Sequence, residues 1–215
     1  MKPRLLDLFC GAGGCSVGYA RAGFEVVGVD LHQMPNYPFE FHQGDALEYL
    51  ASHGSEFDAI HASPPCQGFT RYRRRPGHVK PRENLIPATR EALESTGLPW
   101  VIENVEGSPL KASIMLCGSM FSLDVQRHRL FESNCILQIP RACNHKMWEP
   151  NRFPGGRSNL RGHARLPCRG TVEIGRWNIP LATQKAAMGI DWMPLKELSQ
   201  AIPPAYTEFI GRQLR

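Results

Sequence analysis

The chain has 215 residues, 42% hydrophobic and 21% charged, which excludes wholesale disorder and allows one ordinary domain with a real core. A net charge of +5 modestly favours a nucleic-acid partner, and the basic residues concentrate in 71–82 and 141–176. No run approaches the ~18–20 apolar residues of a membrane span. Met1-Lys2-Pro3-Arg4 leads into a strand-like run, not a secretory signal, so the seven cysteines read as free thiols of a soluble, cytoplasmic protein.

In chain order the first elements alternate as in an α/β fold. Leu5–Phe9 predicts a short buried strand, Cys10-Gly11-Ala12-Gly13-Gly14 a tight turn, and Ser16–Ala22 a helix that stops at Gly23. Phe24–Asp30 is the next strand and ends on a carboxylate. Strand, glycine turn, helix, strand and acid make a nucleoside-binding βαβ unit, and Asp30 follows Gly11 by 19 residues, a spacing that suits a ribose contact. The glycines are too closely set for G-x-G-x-x-G, and the P-loop Gly-Lys-Ser/Thr is missing, so a ligand with a ribose but no pyrophosphate fits best.

Asp45 reads equally as a second ligand acid or as the N-cap of a helix from Ala46 to Ala51. Phe57–Ala62 and Trp100–Val105 are two further strands. Ligand and catalytic groups in open α/β sheets gather at the carboxyl ends of the strands, so Gly11–Gly14, Asp30, Asp45, Cys66 and Glu103-Asn104 are expected to converge.

Ala62-Ser63-Pro64-Pro65-Cys66-Gln67 carries the chemistry. Two prolines hold the Cys66 thiol on a stiff, non-helical turn, and the cationic run after it (Arg71, Arg73, Arg74, Arg75, Lys80, Arg82) favours thiolate and attracts a polyanion. A thiol and a carboxyl group beside a nucleoside-type cofactor point to covalent chemistry on a base. A thiolate added at C6 of cytosine, with a proton delivered to N3 by Glu103, makes C5 nucleophilic toward an electrophilic methyl group. His61 reads as a hydrogen-bonded scaffold residue, and Cys10, Cys15 and Cys117 as packing residues.

Several separated motifs, in order, then resemble the DNA (cytosine-5) methyltransferase family, in a compact form like its phage and bacterial members. Asp7–Gly14 resembles the family's first motif, Pro64-Pro65-Cys66-Gln67 its nucleophile motif, Glu103-Asn104-Val105 its E-N-V motif and Arg127-His128-Arg129 its R-x-R motif. The likeness covers roughly 4–132 well and 180–215 more loosely. It implies a Rossmann-like class I fold that binds S-adenosylmethionine, with a catalytic domain over 1–134, a small irregular target-recognition region over 135–178 and a returning C-terminal segment over 179–215.

The resemblance also assigns roles. Cys66, Glu103, Arg127 and Arg129 would be catalytic. Asp7, Phe9, Cys10, Gly11, Ala12, Gly13, Gly14, Asp30, Leu31, Asp45, Ala46, Pro64 and Gln200 would hold the cofactor, with Phe9 stacked on the adenine. Ser63, Pro65, Gln67 and Asn104 would face the substrate, Asn104 bracing the nucleophile loop and Arg73, Arg74 and Arg75 closing over DNA around a flipped base. The sequence departs from the family at Gln126, which directly precedes Arg127, and at 183–193 and 199–202.

The 135–178 region interleaves arginines with Trp148, Phe153 and Trp177 and is short enough to read only about two to four base pairs. The expected partner is double-stranded DNA, met by a monomer. Cys135, Cys143, His145 and Cys168 share that region, but their spacing matches no usual zinc pattern, so no metal is expected. The same chemistry on RNA is the alternative, since the motifs do not distinguish the two sugars. A catalytically silent nucleic-acid binder is disfavoured by the presence of Cys66, Glu103 and Arg129.

Overall fold

The structure is a computed structural model and describes residues 1–65, 84–145 and 171–215. Seven strands form one sheet: β1 (Arg4–Leu8), β2 (Glu25–Asp30), β3 (Glu40–Gln43), β4 (Ala59–Ala62), β5 (Trp100–Asn104), β6 (Ile114–Leu116) and β7 (Arg129–Ser133). Their order is β3-β2-β1-β4-β5-β7-β6. The first five are parallel, and β7 runs antiparallel between β5 and β6.

β1 lies inside the sheet between β2 and β4, and Leu5, Leu6 and Leu8 are fully buried, as a parallel strand covered on both faces requires. Alternation divides the core. Leu5, Val26, Ala59 and Val101 point to one face, where α1 (Gly14–Arg21) and α6 (Pro204–Gly211) lie. Leu6, Val27, Ile60 and Ile102 point to the other, packed with Leu50 of α2 (Ala46–His53) and Leu93 of α3 (Ile86–Thr96).

The α1–α6 contact is close because Gly18 has no side chain: a Cβ there would sit 2.0 Å from Thr207 Oγ1 and 2.2 Å from the Pro204 carbonyl. Thr207 Oγ1 also donates to the Cys15 carbonyl at 2.8 Å, so the C-terminal helix is fastened to the N-terminal unit. The preceding segment carries α4 (Leu181–Met188) and the one-turn α5 (Leu195–Leu198). Met188, Ile190, Met193 and Leu198 enclose Ala12 of the glycine turn, and Trp192 Nε1 donates to the Ala12 carbonyl at 2.8 Å.

This winding sets where a ligand can enter. The chain moves outward one way through β2 and β3, then returns to the far side of β1 for β4 and β5, opening a crevice at the carboxyl ends of β1 and β4. Among the described residues no helix is long and apolar enough to cross a membrane.

Candidate active site

Four strand ends face this crevice. After β1, the turn takes Phe9, Gly11 and Gly13 into the left-handed region, at φ 57, 51 and 83°. Glycine adopts that conformation freely, whereas at Phe9 it carries strain of order 1 kcal/mol. A Cβ on Gly11 would meet nothing within 4 Å, so the backbone there borders open space. At the end of β2, Asp30 Oδ2 accepts from the Gly11 amide and Oδ1 from the His32 amide, both at 3.0 Å. The acid therefore holds the turn as well as bordering the crevice, and the adjoining Leu31 is 62% exposed.

Asp7 is fully buried beneath the turn. Its Oδ2 accepts from the Ser16 hydroxyl, which in turn accepts from Tyr37 OH at 2.9 Å, and Oδ1 has no hydrogen-bond partner among the described residues. Burial pushes the Asp7 carboxyl up to about 7, against the pull of Ser16, and the nearby carboxylates of Asp30 and Glu103 add to the rise. A raised acid pKa opposes folding above the ordinary carboxylate range, so stability is lost between about pH 4 and pH 7 and then levels off. Asp7→Asn removes that charge, and the variant should gain up to ~4 kcal/mol over the wild type at pH 8 but little at pH 4. Urea unfolding at both pH values checks this; an equal difference at the two would refute the assignment.

At the ends of β4 and β5, a polar chain crosses the sheet face. Tyr19 OH lies 2.9 Å from His61 Nδ1, His61 Nε2 lies 3.0 Å from Ser63 Oγ, and Ser63 bonds Glu103, whose Oε1 pairs with Arg129 Nε at 3.0 Å. Burial drives His61 down to about 3, so the ring is neutral with both nitrogens engaged, as a scaffold histidine would be. One proton assignment satisfies every member: Tyr19 donates to Nδ1, Nε2–H to Ser63, and Ser63 to the Glu103 carboxylate. Burial raises the Glu103 carboxyl above its ordinary value while Arg129, Ser63 and Arg127 hold the rise back.

Arg129 reaches Glu103 because β7 is antiparallel, which sets the first residue of β7 beside the last residues of β5; Asn104 and Leu130 are register partners. Asn104 Nδ2 donates to the Pro64 carbonyl at 2.9 Å, fixing the chain two residues before Cys66. Arg127 instead ties in the C-terminal segment: its Nη2 donates to the Ser199 carbonyl and its own carbonyl accepts from Tyr206 OH, each at 2.7 Å.

The other residues expected here also have contacts of their own. Asp45 is the N-cap of α2, its Oδ1 accepting from the Leu47 and Glu48 amides at 2.8 and 3.1 Å. Ala12 and Ala46 turn their side chains into packing, Gly14 lies under the Ile202 backbone, and Cys10 is buried. Pro64 is buried, while Pro65 and Gln200 are exposed. Cys66, Gln67, Arg73, Arg74 and Arg75 lie outside the described residues. The sequence reading missed Ser16, Tyr19 and Tyr37, which fasten Asp7 and His61; helical spacing on α1 puts Ser16 and Tyr19 three apart on one face, and that was the available signal.

Residues 3–110 match the family model for C-5 cytosine-specific DNA methylases. The Type II methyltransferase M.AgeI of Thalassovita gelatinovora is 29% identical over 120 residues, which span 48% of this chain and 28% of that protein. M.AquIA of a Picosynechococcus species is 33% identical over 130 residues, half of each chain. The chain thus spans at most half the length of these two relatives. Among solved structures, the S. pombe Dnmt2 methyltransferase superposes with a TM-score of 0.64 over 100% of this chain and 98% of its own, at 12% identity, a likeness of fold.

Proposed function

The chain belongs to the C-5 cytosine-specific DNA methylase family, and on that premise we propose that it methylates C5 of cytosine in DNA through a covalent adduct with Cys66. The observation that carries the reading is the placement of Glu103: a buried carboxyl at the crevice, paired with Arg129 and bonded to Ser63, three residues before the thiol.

S-adenosylmethionine is the cofactor of this family and, when bound, supplies the electrophilic methyl group. The residues present fit it. Gly11 borders open space, Leu31 offers an exposed apolar face beside Asp30, and Asp7 Oδ1 is a buried acceptor that an ammonium group would satisfy. The Asp30 carboxylate keeps lone pairs for ribose hydroxyls beyond the two amides it already accepts.

The other steps belong to the protein. The Cys66 thiolate adds to C6 of the extruded cytosine, and Glu103, kept protonatable by burial, gives its proton to N3. Arg129 holds the resulting carboxylate in place. C5, now enamine-like, accepts the methyl group and loses its proton to solvent; expulsion of the thiolate then restores the ring, and the N3 proton returns to Glu103. Asn104 limits where the Cys66 segment can start by fixing Pro64.

Transfer of tritiated methyl groups to unmethylated duplex DNA tests the reading. Label on C5 of cytosine is expected with the wild type, and its loss with Cys66→Ala. A folded, cofactor-binding wild type that labels no DNA would overturn the DNA assignment, and label on transfer RNA alone would move the same chemistry to RNA.

A further inference from the structure

Beside Arg129, at the edge where β6 ends and β7 begins, four side chains expected to have no common role meet at one point. Cys117 follows β6, His128 immediately precedes β7, and Cys143 and His145 come from the segment beyond β7. Their ligand atoms all lie within 4.8 Å of one another. We propose that Cys117, His128, Cys143 and His145 form a structural zinc site that fastens the segment leading into residues 146–170 to the β6–β7 edge of the sheet.

Distances support a tetrahedron. Zinc bonds of ~2.0–2.1 Å to nitrogen and ~2.3 Å to sulfur give edges of ~3.3 Å between nitrogens and ~3.6 Å between nitrogen and sulfur. The two Nε2 atoms are 3.2 Å apart. Cys143 Sγ lies 3.5 Å from His128 Nε2 and 2.8 Å from His145 Nε2, and Cys117 Sγ lies 3.3 Å from His145 Nε2. Of these four edges, only Cys143–His145 is markedly short, and a metal between the two would lengthen it.

The surroundings are those of a ligand set. His128 Nδ1 sits 3.3 Å from Glu106 Oε2, so Nδ1–H is held by a carboxylate and the lone pair is left on Nε2, facing the cluster. Ser119 Oγ lies 3.3 Å from the Cys117 sulfur and 3.4 Å from that of Cys143, within reach of either thiolate. Without a cation, the nearly parallel rings of His128 and His145 aim two basic nitrogens at each other and at two sulfurs that are weak donors. Two thiolates also cancel the charge of a divalent ion, and a Cys2His2 set with no open position suits a structural zinc.

The expectation that no metal binds rested on Cys135 and Cys168 as partners of Cys143 and His145. Cys135 bonds its neighbour Asn134 instead, and Cys168 lies outside the described residues. The missing ligands are Cys117 and His128, from elements the local spacing could not connect.

The test is metal content of the purified full chain, by mass spectrometry of the element. About one zinc per chain is expected for the wild type and for Cys135→Ala, falling at least tenfold in Cys117→Ala and Cys143→Ala. The wild type also carries a test that needs no variant to fold: cobalt exchange should give the intense visible bands of tetrahedral Co(II) and a thiolate-to-cobalt band in the near ultraviolet. Less than about a tenth of an equivalent of zinc with no cobalt bands would overturn the site, as would a Cys117–Cys143 disulfide found in the non-reduced peptide map.

Discussion

Glu103→Gln is expected to lower methyl transfer about a hundred- to ten-thousand-fold, the range typical of a lost general acid, while the affinity for S-adenosylmethionine changes little. Glutamine keeps the shape of the side chain and can still accept from Ser63, so the loss reports on the ionisable carboxyl, both its proton and its charge pair with Arg129. Arg129→Ala gives a complementary result. The pair with Arg129 holds the Glu103 carboxyl down against burial, so its removal lets the carboxyl rise further. Because the proposed mechanism uses the protonated form, the alkaline limb of the pH–rate profile should move to higher pH even as the maximum rate falls. Single-turnover rates across pH, with equilibrium cofactor binding on the same samples, check both. Near wild-type turnover in Glu103→Gln would remove the carboxyl from the mechanism.

Arg90→Ala is expected to cost about 3–5 kcal/mol of stability, because it strands a carboxylate inside the protein. Arg90 on α3 and Glu132 on β7 are both buried. Glu132 accepts from Arg90 Nε at 2.5 Å, from Arg90 Nη2 at 2.8 Å and from the Lys111 amide at 2.7 Å, and Arg90 Nη2 also reaches the Pro109 carbonyl at 3.2 Å. Burial alone would raise the Glu132 carboxyl, but Arg90 and the Lys111 amide outweigh it and hold the group below its ordinary value. Its contribution in the wild type is therefore present at neutral pH and lost as pH falls below the carboxylate range. In the variant the sign reverses: the unpaired carboxyl opposes folding at pH 7 and is relieved once protonated. The deficit should accordingly be largest near pH 7 and shrink toward pH 4. A double replacement, Arg90→Met with Glu132→Leu, should recover most of the loss, since a well-packed apolar pair commonly matches a buried ion pair. Denaturant unfolding of the wild type and both variants decides it; a deficit independent of pH would mean that Arg90 acts through packing alone.

Which elements carry the site was legible in the sequence because the relevant signals are local. Apolar runs ending on Asp30 and on Glu103-Asn104, a glycine turn after Leu8, and two prolines before Cys66 are short patterns whose chemistry depends on adjacent residues. In a parallel sheet such runs deliver their last residues to one edge, so convergence of Gly11, Asp30 and Glu103 followed from the class of fold. Asp45 shows the limit of local reading. The same carboxylate serves as an N-cap or as a ligand, and only the amides of Leu47 and Glu48 at its oxygen reveal that it caps α2.

Tertiary structure alone decided the contacts between residues far apart in the chain. Arg129 meets Glu103 because β7 inserts antiparallel beside β5, and no periodicity in 114–133 announces that choice of neighbour. Arg90 and Glu132, 42 residues apart, come together only when α3 covers the sheet. Cys117, His128, Cys143 and His145 likewise arrive from three separate pieces of chain. A ligand set or an ion pair is fixed by where side chains end in space, whereas a strand, a cap or a turn is fixed by the order of residues along the chain. The sequence therefore determined the candidate site residues and the strands that bear them, and packing determined which charges are paired, which carboxyl is buried and which potential ligands meet.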